Sequence, residues 1–256
     1  MNANRSRRAS PSDTSAKRFY NRRMRLPSLF EEIPEPFREH YDPDAPWVLL
    51  GEPLEAVLGA LPSEALGTRL SPDVHLAGDR IAIGRGARIA PGAVIQGPIW
   101  IGDDVEIRPG AYLRSGCWIG DGAIVGASTE IKHGILFPGA RAPHLNYVGD
   151  SILGARVNLG AGTILSNFRH DAGEIHIPVD GGSAEDLPPE RLATGRRKLG
   201  AVLGDDVLTG CNCVLNPGTI VGRGAQIYPG AVLRPGLYPA ESLVKLRQQI
   251  VVESRR

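Results

Sequence analysis

Residues 81–132 read IAIGRGARIAPGAVIQGPIWIGDDVEIRPGAYLRSGCWIGDGAIVGASTEIK, and an aliphatic residue returns at every sixth position: Ile83, Ile89, Ile95, Ile101, Ile107, Leu113, Ile119, Val125 and Ile131. Four residues after each of the first eight comes Ala87, Ala93, Ile99, Val105, Ala111, Cys117, Ala123 or Thr129, nearly all of them small. Turn formers such as Pro91-Gly92, Asp103-Asp104 and Pro109-Gly110 fill the gaps. A period of six fits neither the 3.6 of a helix nor the 2 of a lone strand. It fits a strand of two or three residues followed by a turn, repeated around a prism. The aliphatic residue points inward, the small one fills the crowded corner, and the turn residues take the unusual dihedrals. Three such units close one coil of 18 residues, and successive coils stack with parallel hydrogen bonding. The predicted fold is all-β, a parallel β-helix.

A second run, Leu203, Thr209, Leu215, Val221, Ile227 and Leu233, keeps the same step. Between the runs the step shortens to five at Ile131→Leu136 and again at Val148→Leu153, then recovers through Leu159 to Leu165. Residues 168–199 abandon the period. Within them 174–179 alternates like a strand, Asp180-Gly181-Gly182 reads as a turn, and Arg196-Arg197-Lys198 leads back toward Leu203. An excursion of that length inside a compact domain is usually functional. Upstream, 46–61 predicts one or two short helical turns broken at Pro53, packed over the first coil because an open prism end exposes apolar side chains. Residues 242–252 predict a helix or strand capping the other end. The expected organisation is a basic disordered tail over 1–28, an N-terminal capping segment over 29–74, the β-helix over 75–236 with its insertion at 168–199, and a C-terminal capping segment over 237–256.

The chain has 256 residues, 42% of them hydrophobic, enough to bury a sizeable core. Three cysteines without paired spacing exclude a disulfide scaffold or a cysteine zinc site and suit a reducing compartment. No apolar run reaches the length of a membrane span, and the N-terminus lacks a signal-peptide core. A soluble, cytoplasmic protein without a membrane partner is expected. The net charge of +1 hides an uneven distribution, since residues 1–25 carry eight Lys/Arg against Asp13 alone. With few large apolar groups that arm reads as solvated chain. Nothing in the repeats points to nucleic acid.

The 18-residue ruler also locates chemistry. Lys132 follows the inward Ile131 and so points outward, and Arg114 stands 18 residues before it on the same outer face. Stacked like charges are costly unless an anion bridges them, so the pair is either an anion site or a solvated pair. Arg108, one hexapeptide earlier, turns onto a different face. The stretch 142–150, APHLNYVGD, places His144 and Tyr147 where the period is disturbed. They lie within one coil of the cations and near Asn158 and Asn167. An imidazole among converging polar groups is a candidate general base. His133 neighbours Lys132 but is expected to point elsewhere. His40, His75, His170 and His176 have no such company, and no three histidines assemble as metal ligands, so no metal is expected.

Hexapeptide-repeat proteins share this periodicity, and in them the β-helix is left-handed. The motifs LRSG (113–116), TEIK (129–132), HLNYVGD (144–150), VNLGAGTILSNF (157–168) and LGDDVLTG (203–210) are more specific. Through them residues 114–167, and less closely on to about 233, resemble the acetyltransferase domain of bifunctional N-acetylglucosamine-1-phosphate uridylyltransferase/glucosamine-1-phosphate N-acetyltransferases. The resemblance implies that His144 takes a proton from a sugar amine and that Arg114 and Lys132 hold the sugar 1-phosphate. Tyr147 and Asn158 would contact sugar and phosphate. Asn167 would bind sugar and, with Phe168, acetyl-CoA. A family lysine maps to Gly173 counting forward from Asn167 and to Lys198 counting back from Gly204; the charge a phosphate needs selects Lys198. Cys211 and Pro229 stand where the family has a serine and an alanine at coenzyme A.

The resemblance further implies acetyl-CoA as co-substrate and a homotrimer with sites between subunits. Peptide N–H groups of 159–162 are candidate oxyanion donors. The insertion would border the cleft, with Arg196 and Arg197 near phosphates. Glucosamine 1-phosphate is the expected acceptor, with Asn146 and the insertion pointing alternatively to galactosamine 1-phosphate. The stretch before the prism is too short for the family's α/β uridylyltransferase half, so nucleotidyl transfer would fall to a separate partner chain. The contrary reading is a non-catalytic trimeric scaffold or regulatory subunit. A scaffold has no need to keep His144, Tyr147, Asn158, Asn167, Arg114 and Lys132 together, which favours the enzyme.

Overall fold

Strands of two to four residues alternate with tight turns from Glu64–Leu66 to Leu243–Val244. The computed structural model describes residues 26, 28–179, 191–248 and 252. The chain winds repeatedly over three faces in the order I, II, III. Face I is a nine-stranded sheet running from Glu64–Leu66 to Gly236–Tyr238, and face III an eight-stranded sheet from His75–Ala77 to Val232–Leu233. Face II comprises a four-stranded and a three-stranded sheet, joined where the backbone of Asn158 bridges Arg141 and Leu208. Pairing along every face is parallel, as the stacked hexapeptides predict.

The inward column is buried as the period requires. Ile95, Ile101, Ile107, Leu113, Ile119, Val125 and Ile131 share one core with the small corner residues Ala93, Ala111, Cys117 and Ala123. Burial pushes the Cys117 thiol up to about 12, which makes it a packing group. Where the sequence step falls to five the coil shortens with it: Ile119 pairs with Leu136, Ile131 with Val148, and Leu136 with Leu153. The residue is removed at the corner between faces III and I. There His133 and Asp150 take left-handed conformations, φ 48° and 42°.

Face I is buried on both sides. Its outward residues Trp118, Ile135, Ile152, Val202 and Ile220 form a second core with Leu29, Phe37, Trp47, Leu50, Leu54 and Ile177. The N-terminal segment supplies most of that cover through two 3₁₀ turns, Glu35–His40 and Pro46–Leu50, and an α-helix, Glu52–Gly59. Pro53 lies in the first turn of the helix, where its missing N–H is not needed, so it opens the helix instead of breaking it. Leu54 and Leu58, one turn apart, form the buried face. Phe37 packs edge-on against Trp118, ring centroids 5.3 Å apart. The segment therefore lies along face I and does not cap the open end, because the outward apolar column offers the larger surface. At the C-terminal end Leu243–Val244 pairs with Gln226–Ile227 as one more rung, a strand and not a helix. The β-helix thus extends past both limits expected for it, 75 and 236.

The excursion also covers face I. His176–Pro178 pairs antiparallel with Arg191–Ala193, and Ile175 and Ile177 are buried in the second core. Arg196 donates to the carbonyl of Leu50 at 3.2 Å and to that of Lys198 at 3.3 Å, and burial depresses its pKa. It ties the hairpin to the N-terminal segment, and Arg197 donates to the carbonyl of Ala172 at 2.9 Å. Neither is aimed at a phosphate cleft as expected, because each is turned to a backbone carbonyl within the covering layer. The turn at 180–182 and, apart from Leu26 and Ser28, the basic tail lie outside the described residues. No helix among the described residues is long and apolar enough to cross a membrane.

Candidate functional site

The corner between faces II and III carries the imidazole. His144 ends the strand Arg141–His144 with its side chain exposed, and Leu145 turns the chain at φ 52°. Asn146 holds that turn. Its side-chain oxygen accepts from His144 N at 3.1 Å, while its amide donates to the Gly160 carbonyl at 2.8 Å. With 3% of its surface exposed and both ends engaged, Asn146 is a structural clamp and cannot select the acceptor. The same corner continues downward as a column in which Gly162 N donates to the His144 carbonyl, Asn212 N to that of Ala161, and Gly230 N to that of Cys211. Cys211 and Pro229, both exposed, lie on this column. Asn158 stands beside it on face II.

The second cluster occupies the corner between faces III and I. Arg114 and Lys132 are stacked as expected, but the anions that relieve them are the protein's own. Glu130 pairs with Arg114 at 3.0 Å and Asp150 with Lys132 at 3.7 Å. His133, expected to point elsewhere, turns to the same carboxylate, with Nδ1 3.1 Å from Asp150 Oδ1 though off the line of a hydrogen bond. The buried Asn167 donates its amide to Asp150 Oδ2. Glu130 and Asp150 join the site only in the structure. Glu130 was nonetheless findable, because it sits two residues before Lys132 and so on the same outward side of the strand.

Tyr147 joins the corners. It starts the face III strand two residues past the corner turn, and its hydroxyl reaches Asn167 Oδ1 at 3.5 Å. Burial, with the charges of Glu130 and Asp150, raises the phenol's pKa and keeps it a neutral donor. The hydroxyl lies over Gly149, where an added Cβ would meet Asn167 Nδ2 at 2.7 Å and the Tyr147 hydroxyl at 2.8 Å. That is the physical reason for the Tyr-x-Gly-Asp spacing: the tyrosine crosses the face, the glycine leaves room, and the aspartate anchors the far corner. Lys198 falls beside this cluster too. It bridges Phe168 in antiparallel fashion, and Leu199 N donates to the Asn167 carbonyl, so the excursion returns next to where it left. Below lies a cleft of about 450 Å³ lined by Phe168, Ile175, His176, Asn216, Pro217 and Pro235.

The nominated residues therefore divide. His144, Cys211 and Pro229 lie on one edge of face III with Asn158 beyond them on face II, and Arg114, Lys132, Asn167, Phe168 and Lys198 lie on the other edge, with Tyr147 between. Of the candidate oxyanion donors, Leu159 N is bonded to the Arg141 carbonyl, Gly160 N to Thr209 and Gly162 N to His144. Among the described residues only Ala161 N in that stretch makes no hydrogen bond.

Two expected outcomes follow here. Burial works against ionisation of Asp150, but its contacts with His133 and Asn167 and the charge of Lys132 outweigh it and hold the carboxyl below its ordinary 3.8. A depressed folded-state pKa contributes stability that is complete above 3.8 and is lost as the pH falls through the lower folded value. Urea unfolding of wild type and Asp150→Asn should therefore give a stability gap at pH 7 that narrows in strong acid; a gap independent of pH would contradict this. At Gly126 an added Cβ would lie 1.5 Å from the Pro143 carbonyl oxygen, within the coil step that carries His144. Gly126→Ala should cost about 1–3 kcal/mol by overpacking, measured by the same unfolding assay.

Residues 98–133 and 200–235 match the family described as bacterial transferase hexapeptide (six repeats). The chain is 45% identical over 109 residues to a bifunctional sugar-1-phosphate nucleotidylyltransferase/acetyltransferase of Sulfurisphaera tokodaii, covering 43% of this chain and 25% of that protein. It is 35% identical over 192 residues to the bifunctional protein GlmU of Methylibium petroleiphilum, covering 70% of this chain and 36% of that protein. The chain thus spans about a quarter to a third of the length of the curated relatives it matches. A solved perosamine N-acetyltransferase variant from Caulobacter crescentus, with CoA and GDP-perosamine, is 22% identical with a TM-score of 0.28, covering 40% of this chain and 45% of that chain. The chain carries bacterial transferase hexapeptide repeats on a parallel β-helix and is similar, over part of their length, to bifunctional sugar-1-phosphate nucleotidylyltransferase/acetyltransferases.

Proposed function

We propose that this chain is an acetyl-CoA-dependent N-acetyltransferase acting on a hexosamine 1-phosphate. The observation that carries the reading is a single face with the exposed imidazole of His144 on one edge and the Lys132–Asp150–Asn167 cluster on the other, with Tyr147, bonded to Asn167, between them. In the reaction the acceptor's amine nitrogen attacks the thioester carbonyl, an N–C bond forms, the C–S bond breaks, and coenzyme A leaves as the thiolate. His144 takes the proton from the amine. Arg114, with donors to spare beyond its bond to Glu130, and Lys132 hold the phosphate, assisted by Lys198. The Ala161 N–H, one rung below His144 and not otherwise bonded, is the donor for the tetrahedral oxyanion.

Two clusters on opposite edges of a flat face do not enclose a substrate. A homotrimer would close the site, since a three-fold axis sets one edge of each subunit against the other edge of its neighbour. Cys211 and Pro229 then lie along the course of the acyl donor. The test is thiol release from acetyl-CoA with glucosamine 1-phosphate and galactosamine 1-phosphate in parallel. Release with either acceptor supports the reading and distinguishes the two sugars. No release with either, from folded protein, favours the scaffold.

A further inference from the structure

Resting on that reading, we propose that Arg108 is a positioning residue that presents His144 to the acceptor amine. Arg108 shares neither the face nor the phosphate role of Arg114. It follows the face II strand Glu106–Ile107, and its Nη1 lies 3.4 Å from His144 Nε2 and 3.4 Å from the Pro143 carbonyl. To get there the side chain spans the coil that holds Gly126, where any Cβ would collide with Pro143. Glu106 fixes the other side of the guanidinium, accepting from Nε at 2.7 Å, and also takes Arg88 at 3.4 Å. The hydrogen bond from Arg108 holds Glu106 below the ordinary carboxylate range, so the anchor stays charged.

The chemistry follows from what a guanidinium lacks. It has donors only, so its contact with Nε2 requires a lone pair on that nitrogen and places the ring proton on Nδ1. A base for an amine needs that tautomer, with the Nε2 lone pair directed outward. The Arg108 donor stands where the acceptor amine must bring its own N–H. The amine therefore enters by exchanging with Arg108, and Glu106 retains the displaced guanidinium nearby. Arg108 has left Nε2 by the time the amine reacts, so it acts through the ring orientation and tautomer of His144.

The experiment reads the tautomer directly, by ¹⁵N NMR of histidine-labelled protein, with the His144 signals identified by their loss in His144→Asn. Wild type should show His144 protonated on Nδ1. Arg108→Met should move the proton to Nε2, the tautomer free imidazole side chains prefer, while Arg108→Lys, which keeps a donor, should restore Nδ1. In the transfer assay Arg108→Met should lower kcat about tenfold, as expected for a misdirected base, with KM for acetyl-CoA within about twofold. An Nε2-protonated His144 in wild type, or a tautomer indifferent to Arg108→Met, overturns the proposal. The tautomer is read without substrates. A wild type that shows it but transfers nothing would overturn the acetyltransferase reading, and the role given to Arg108 with it, while leaving the contact established.

Discussion

Replacing His144 by Ala should lower kcat for acetyl transfer by about 10²–10⁴-fold, the usual contribution of a positioned base, and leave the β-helix as stable as before. The side chain is exposed, and among the described residues its one polar contact is to Arg108, so its loss opens no cavity. The turn it precedes is held through the backbone N–H of residue 144, which alanine retains. Initial rates at saturating acetyl-CoA, with unfolding midpoints as the control, separate the two effects. Activity within threefold of wild type would remove the histidine from the mechanism. A shift in stability beyond about 0.5 kcal/mol would show that the site is more than surface chemistry.

Phe37→Ala should be the most destabilising of the substitutions considered, at about 3–5 kcal/mol for a fully buried aromatic side chain. Its ring meets Trp118 edge-on at 5.3 Å, and the 3₁₀ turn that carries it is too short to persist without tertiary contacts. The loss should be local first. Amide exchange at the buried Leu49, Leu50 and Leu54 of the covering segment should accelerate, while Ile101 and Ile119 inside the prism keep their protection. Uniform loss of protection would mean that the cover and the prism unfold as one unit. No change at Leu49 and Leu54 would mean that the segment does not depend on Phe37.

The legible part of this protein is the part that repeats. An 18-residue rung places Arg114 under Lys132 with no tertiary information, and the structure keeps that stacking. The shortened steps at Ile131→Leu136 and Val148→Leu153 are visible in the sequence, and the structure places the missing residue at a corner with His133 and Asp150 in left-handed backbone. The double burial of face I is also written in the sequence. The residues preceding the inward positions on that face are Trp100, Trp118, Ile135, Ile152, Val202 and Ile220, an outward apolar column at coil spacing. The corresponding residues on face II include Arg88, Glu106 and Arg141, which need no cover.

What the sequence determined by itself was the in-or-out sense of each repeat residue, the stacking of one rung on the next, and the motif residues that mark both edges of face III. Those follow from a short covalent period closed on itself, where each residue's neighbours are set by counting. Only the tertiary structure decided what each long side chain reaches. Arg196 turns inward to the Leu50 carbonyl, Asn146 is consumed in holding a corner, Asp150 gathers Lys132, His133 and Asn167, and Arg108 crosses the Gly126 coil to His144. The physical reason is the same in each case. A flexible polar side chain goes to the partner that burial and charge leave available, and that partner comes from another coil or from the non-repeating segments laid over the prism.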